Sequence, residues 1–141
     1  MHSTASYVVQ MKEIGFFRVS EEVIAEDVIA LADKIAADDF WSAPISVERN
    51  TGIIMDGNHR WHAGMRLGLA QLPCILLDYA DPRVVCHEWE VDESFDIDSI
   101  FRVIMGGQVF PYKTTRHVFS PPLPATRIML AELLQPVQKF G

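Results

Sequence analysis

Apolar positions along the chain recur with two periods. Over residues 26 to 38, EDVIALADKIAAD, the residues Val28, Leu31, Ala32 and Ile35 fall at helical spacing with acids in the first turn, which predicts an amphipathic helix. Shorter runs follow. FWSAPISVE reads as a turn into a short strand and TGIIMD as its hairpin partner, with Asn50, Thr51 and Gly52 near the bend. Ile53 to Met55 is then a strand, and His59 to Leu67, ended by Gly68, a helix. Gly68 and Pro73 bracket a connection into CILLDY, whose continuous apolar run marks a buried strand, and RVVCHEWEV is another strand candidate. IDSIFRVIMGG has the pattern of a helix with a glycine cap. VFPYKTTRHVFSPPLP is expected to be extended, because its prolines and β-branched residues disfavour helix. TRIMLAELL fits helix and strand equally. Strands alternating with helices point to an α/β or α+β domain, and no repeat or long linker divides residues 1–141.

The totals narrow the class. A chain of 141 residues can bury roughly two thirds of its unfolded surface without staples. A formal charge of −7 disfavours a general nucleic-acid binder, which carries a basic face. The charge is uneven: residues 86 to 98 hold six acids and no base, whereas residues 102 to 141 hold five bases and Glu132 as their only acid. Cys74 and Cys86 sit in or beside apolar strand-like runs and read as buried thiols of a reducing compartment. No run approaches the ~18 apolar residues that span a bilayer, and the first residues lack a signal-peptide pattern. A cytoplasmic protein without membrane contact is the expectation.

Four polar clusters stand out from this background, each with a purely structural alternative. Asp56 to Arg60, DGNHR, lie where a buried strand meets a helix start. Free N–H groups and the positive end of the helix dipole favour an anion there, and Arg60 adds a fork of donors suited to phosphate. The alternative is a capped turn that needs Gly57 for backbone freedom. Lys113 to His117, KTTRH, could grip a carboxylate or phosphate, or could be a solvated edge strand. Ser20 to Val23, SEEV, precedes the first helix and could simply hold solvated acids. Trp89 among CHEWEV is either core or a half-exposed platform. His59 and His62 lack a cysteine or carboxylate nearby to complete a tetrahedral set, so zinc is not expected there. Walker and G-x-S-x-G motifs are absent from the sequence.

Taken in order, these segments resemble the ParB/sulfiredoxin superfamily, and most closely its free L-serine kinase branch. IIMDGNHRWHAGMRLG looks like the D-G-H-H-R segment, SEEV lies at H-E-x-hydrophobic, and FWSAP matches F-W-x-P. LLDY recurs after the helix, Trp89 falls at the family's tryptophan, and PYKTTRHVF resembles P-K-T-T-R-H-V. The resemblance implies a compact α/β (α+β) fold with a small mixed sheet flanked by helices. It implies a kinase that phosphorylates the hydroxyl of free serine with ADP or ATP and Mg2+.

Residue by residue, Glu21 matches the general base, and Asp56 the acid at the entrance of the phosphate turn. Gly57, Asn58, His59 and Arg60 match that turn. Trp89, Lys113, Thr114, Thr115, Arg116 and His117 match residues that enclose the amino acid. Two departures stand out. Asn58 replaces the first histidine of D-G-H-H-R, removing a group that could become cationic. Only 23 residues separate Trp89 from Lys113, where the serine kinases carry a second domain. The lid is then reduced, supplied by another subunit of a homo-oligomer, or absent. Sulfiredoxin chemistry would require a cysteine where Asn58 stands. The rival reading is a nucleotide- or phosphate-binding regulatory protein without catalysis.

Overall fold

A computed structural model describes residues 6 to 137. Its centre is a four-stranded mixed sheet in the order β1-β5-β3-β4, with β1 at Gln10–Glu13, β3 at Ile45–Glu48, β4 at Ile54–Asp56 and β5 at Gln71–Leu77. β3 and β5 run parallel, and β1 and β4 are antiparallel to their neighbours. A parallel pair needs a crossover. Here it is β4 followed by helix α2, Asn58–Arg66, which packs on helix α1, Ala25–Asp38. Two small sheets complete the strands, β2 (Phe40–Trp41) with β8 (Ile128–Met129), and β6 (Val84–Glu88) with β7 (Thr115–Phe119). Helix α3 covers Ile97–Met105, and a single-turn helix α4 covers Leu130–Leu133.

The core follows the apolar periods. α1 buries Val28, Ala32 and Ile35, and the last two meet Trp41, Ile45, Val47, Ile54 and Leu72 in the main cluster. A second cluster joins α3 to β6 through Ile100, Ile104, Ile53 and Cys86. Removing a large buried side chain such as Trp41 would cost about 3 to 5 kcal/mol. Both cysteines are buried, and loss of solvation pushes each thiol up to about 12, so neither is a ready nucleophile.

The expected elements appear, with shifts that have local causes. The strand before the DGNHR turn is Ile54–Asp56 and the helix after it begins at Asn58. β5 starts at Gln71, so Pro73 lies inside the strand rather than in a connection before it. It is tolerated because β3 joins β5 only from Cys74 onward, beyond the missing N–H. Trp89 lies one residue past the end of β6, not within it. TRIMLAELL divides between the two-residue β8 and the turn of α4. No helix among the described residues is long and apolar enough to cross a membrane.

The β3–β4 hairpin is fixed by one buried carboxylate. Glu48 Oε1 accepts from the N–H groups of Asn50 and Thr51 and from Thr51 Oγ1, at 3.1, 2.8 and 2.7 Å. Ser46 pairs with Asp56 while Val47 pairs with Ile54, so Met55 is an extra residue on β4. Such a bulge re-aims side chains. Met55 and Asp56 consequently border the same hollow, although they are neighbours in a strand.

Candidate functional site

That hollow is a cavity of about 290 Å³. Its walls come from the segment before α1 (Glu21, Glu22), the β4–α2 seam (Met55, Asp56, Asn58, His59), the loop after β6 (Trp89) and the entry to β7 (Tyr112, Lys113, Thr115, Arg116, His117). The structure thus brings together Glu21, Asp56, Asn58, His59, Trp89, Lys113, Thr115, Arg116 and His117 from distant parts of the chain. Gly57, Arg60 and Thr114 do not line it. Gly57 and Arg60 border an adjoining hollow of about 180 Å³ that shares Asp56, Asn58 and His59 with the first. Thr114 turns back locally, its Oγ1 donating to the Pro111 carbonyl at 2.7 Å.

At the seam, Gly57 adopts φ 121°, and a Cβ there would meet the Ile45 side chain at 3.1 Å, so glycine is needed for the chain to leave β4 and enter α2. The first helical bond runs from Trp61 N–H to the Gly57 carbonyl, 2.9 Å. The N–H groups of Asn58, His59 and Arg60 therefore precede the ladder, as donors for an anion.

The side chains of the seam do other work. The Asn58 amide accepts from Ser20 N–H at 2.8 Å and donates to Ser20 Oγ at 3.1 Å, while Ser20 Oγ donates to the Ile54 carbonyl at 2.7 Å. His59 Nε2 accepts from Ile24 N–H at 3.2 Å, satisfying a donor at the start of α1. The sequence reading aimed both side chains at phosphate; the structure uses them to tie the seam to the segment carrying Glu21. A neutral amide serves this purpose, which gives the Asn58 departure a physical reason.

Glu21 is held from the opposite side. Its Oε2 accepts from the Thr115 N–H at 2.9 Å and from Thr115 Oγ1, leaving Oε1 without a protein partner among the described residues. His117, behind it, shares a 2.9 Å hydrogen bond with Tyr79 OH. Desolvation pulls His117 down to about 4, so the ring is neutral near pH 7, and burial raises the Tyr79 phenol.

The mouth is built from exposed groups. Lys113 has φ 59°, and its Nζ lies 5.2 Å from the Trp89 ring and 5.3 Å from the Tyr112 ring. Such exposed cation–π contacts contribute about 0.5 to 1 kcal/mol each. Tyr112 also meets His59 edge-on at 5.7 Å. Sequence reasoning missed Tyr112, Met55 and Tyr79. Tyr112 lies within PYKTTRH and could have been included, whereas nothing local in the sequence couples Tyr79 to His117.

The Asp56 carboxylate is exposed, borders the cavity, and has no hydrogen-bond partner among the described residues. No cluster of three His, Cys, Asp or Glu side chains among the described residues is arranged to hold a metal. Such a site suits a hydrated Mg2+ that brings phosphate ligands with it and takes one carboxylate from the protein.

Beyond Arg60 lies a third hollow, about 270 Å³, between Ser42 to Pro44 and Leu123 to Ala125, which shares Asp56 and Arg60 with the second. Asp56 borders all three.

No protein-family model matches the chain. A ParB-like protein of Sulfolobus acidocaldarius is 45% identical over 47 residues, 33% of this chain and 24% of that protein. An ATP-dependent L-serine kinase of Desulfurococcus mucosus is 36% identical over 73 residues, 49% of this chain and 29% of that protein. The matches thus span less than a third of these relatives' length. Among solved structures, a free serine kinase in complex with AMP superposes with a TM-score of 0.82 at 14% identity, covering 92% of this chain and 95% of that chain. The compact mixed α/β architecture is the free serine kinase fold.

Proposed function

We propose that this chain is a nucleotide-dependent kinase that transfers a phosphoryl group to the hydroxyl of a free hydroxy amino acid, L-serine first among them. The observation that carries this reading is the single cavity that joins the Glu21 carboxylate, the N-terminus of α2 and the Trp89 and 113–117 segments. The relatives named as L-serine kinases and the neighbour bound to AMP support the same reading.

Phosphoryl transfer asks a protein to position two reactants, neutralise charge and orient a nucleophile. Each demand has a candidate residue here. Thr115 fixes Glu21 Oε2, and Oε1 receives the proton of the serine hydroxyl as that oxygen attacks phosphorus. The bond from phosphorus to the nucleotide's bridging oxygen breaks, giving O-phosphoserine and the shortened nucleotide. The N–H groups of Asn58, His59 and Arg60 hold phosphate oxygens, and the Arg60 side chain lies over the adjoining hollow. The nucleoside lies in the third hollow, with its phosphates along the seam. Asp56 is the carboxylate that would hold Mg2+, and the ion would supply charge neutralisation on the phosphates. Trp89, Arg116 and His117 enclose the amino acid.

The test is mass spectrometry of products from a panel of hydroxy amino acids with Mg2+ and either ADP or ATP. O-phosphoserine is expected from the wild-type chain. Glu21→Gln should lower kcat by about 10² to 10⁴ while retaining nucleotide affinity, since a glutamine oxygen can still accept from Thr115. Nucleotide-induced stabilisation without any phosphorylated product would favour the regulatory reading instead.

A further inference from the structure

Three carboxylates line the reaction cavity, from Glu21, Glu22 and Asp56, and two cations, from Lys113 and Arg116. Under the kinase reading, Glu21 is the base tethered to Thr115 and Asp56 serves the phosphate side. Glu22 has no such commitment. Its N–H is fixed by the Phe110 carbonyl at 2.8 Å, yet the residue is exposed, borders the cavity and has no side-chain partner among the described residues.

The cations divide in the same way. Lys113 is flanked by the Trp89 and Tyr112 rings. His117 is neutral and occupied by Tyr79. Among the described residues the Arg116 side chain has only Asp92 Oδ1 at 3.7 Å, and Asp92 is 87% exposed. That separation is well beyond the roughly 2.7 to 2.9 Å of a charge-assisted hydrogen bond, so most of the guanidinium's capacity is open. One carboxylate and one guanidinium are therefore left over in one cavity.

A free α-amino acid carries one ammonium and one carboxylate on the same carbon. We propose that Glu22 and Arg116 read this zwitterion, with Glu22 accepting from the ammonium and Arg116 donating to the carboxylate. The assignment rests on the kinase reading and refines it: the substrate must carry both charges, and Glu22 is a specificity residue for the first of them. The neighbouring acids then divide the work, Glu21 handling the hydroxyl and Glu22 the ammonium.

The test compares L-serine with L-glycerate, which keeps the hydroxyl and carboxylate but lacks the ammonium. Binding of each to the full chain is measured by calorimetry with AMP present, and turnover is followed in parallel. Glu22→Gln is expected to weaken L-serine roughly tenfold or more, in the range for a lost hydrogen bond to a charged group, with kcat nearly unchanged. L-glycerate affinity should stay the same or improve, and Glu22→Asp should recover part of the serine affinity. Equal weakening of both ligands would make Glu22 merely structural, and unchanged serine affinity would also overturn the proposal. If the wild-type chain binds serine in this pattern but forms no product, the zwitterion site stands and the kinase reading falls. If it binds no serine at all, both fall.

Discussion

The two walls of the cavity are made in different ways. The inner wall, from Ser20 to Glu22 and from Asp56 to Arg60, is set by hydrogen bonds between segments 38 residues apart and rests on fully buried side chains such as Ile45 and Ile54. The mouth, from Trp89 to Asp92 and from Tyr112 to Thr114, is held chiefly by two cation–π contacts, the loose ion pair of Asp92 with Arg116 and the bond from Trp89 N–H to the Thr114 carbonyl at 3.2 Å, whereas Thr115 behind it is tied to Glu21 and belongs to the inner wall. Trp89 and Tyr112 are each 39% exposed. The wall that would handle phosphate and that carries the two glutamates is thus built before a ligand arrives, whereas the mouth that would close over the amino acid has weak contacts to exchange. That division suits a transfer reaction, in which donor geometry must be rigid and the acceptor must enter and leave.

Substitutions can break this contrast. The largest loss of stability is expected for Gly57→Ala, which combines a positive φ with contact against Ile45 and should cost on the order of 3 kcal/mol, read as a lowered midpoint in denaturant. Nucleotide affinity should fall with it. Asn58→Ala comes next. It strips partners from Ser20 N–H and Ser20 Oγ and should cost about 1 to 3 kcal/mol. The variant Asn58→His, toward the family's D-G-H-H-R pattern, should restore at most part of that loss, because the donor and acceptor nitrogens of an imidazole point apart whereas both amide bonds go to Ser20.

An effect confined to acid pH comes from His117. Its pKa of about 4 lies below the ordinary value of 6.5, so between these pH values the unfolded chain binds a proton that the folded chain refuses. Stability should therefore fall as the pH drops from about 6.5 to 4, by roughly 1.4 kcal/mol per unit from this group, and remain unaffected by it above 6.5. Chemical denaturation across that range should show a shallower acid limb for His117→Asn. The smallest change in stability, under about 1 kcal/mol, is expected for Trp89→Ala, because it gives up only exposed contacts. The same variant should raise the KM for serine and leave that for nucleotide nearly unchanged. If Trp89→Ala destabilised the fold as much as Asn58→Ala, the contrast between the walls would be lost.

The sequence revealed the inner architecture wherever local chemistry determined it. The acids opening α1, the glycine of the seam and the apolar run of β5 each announce their conformation within a few residues. Pairs between distant segments left no such mark. Ser20 with Asn58, Glu21 with Thr115 and Tyr79 with His117 are separated by 38, 94 and 38 residues. No period or turn signal predicts them, and only the resemblance placed Glu21 and Thr115 at one site. Pro73 misled for the opposite reason: its local signal is strong, but β5 gains its β3 partner only after it.

Hydrogen–deuterium exchange along the two walls tests the central claim most directly. Nucleotide alone should protect the amides of Asn58, His59 and Arg60, and protection of residues 89 to 94 and 111 to 116 should appear when serine is added. Unchanged exchange at residues 58 to 60 with saturating nucleotide, or serine-dependent protection confined to surfaces away from the cavity, would contradict the account.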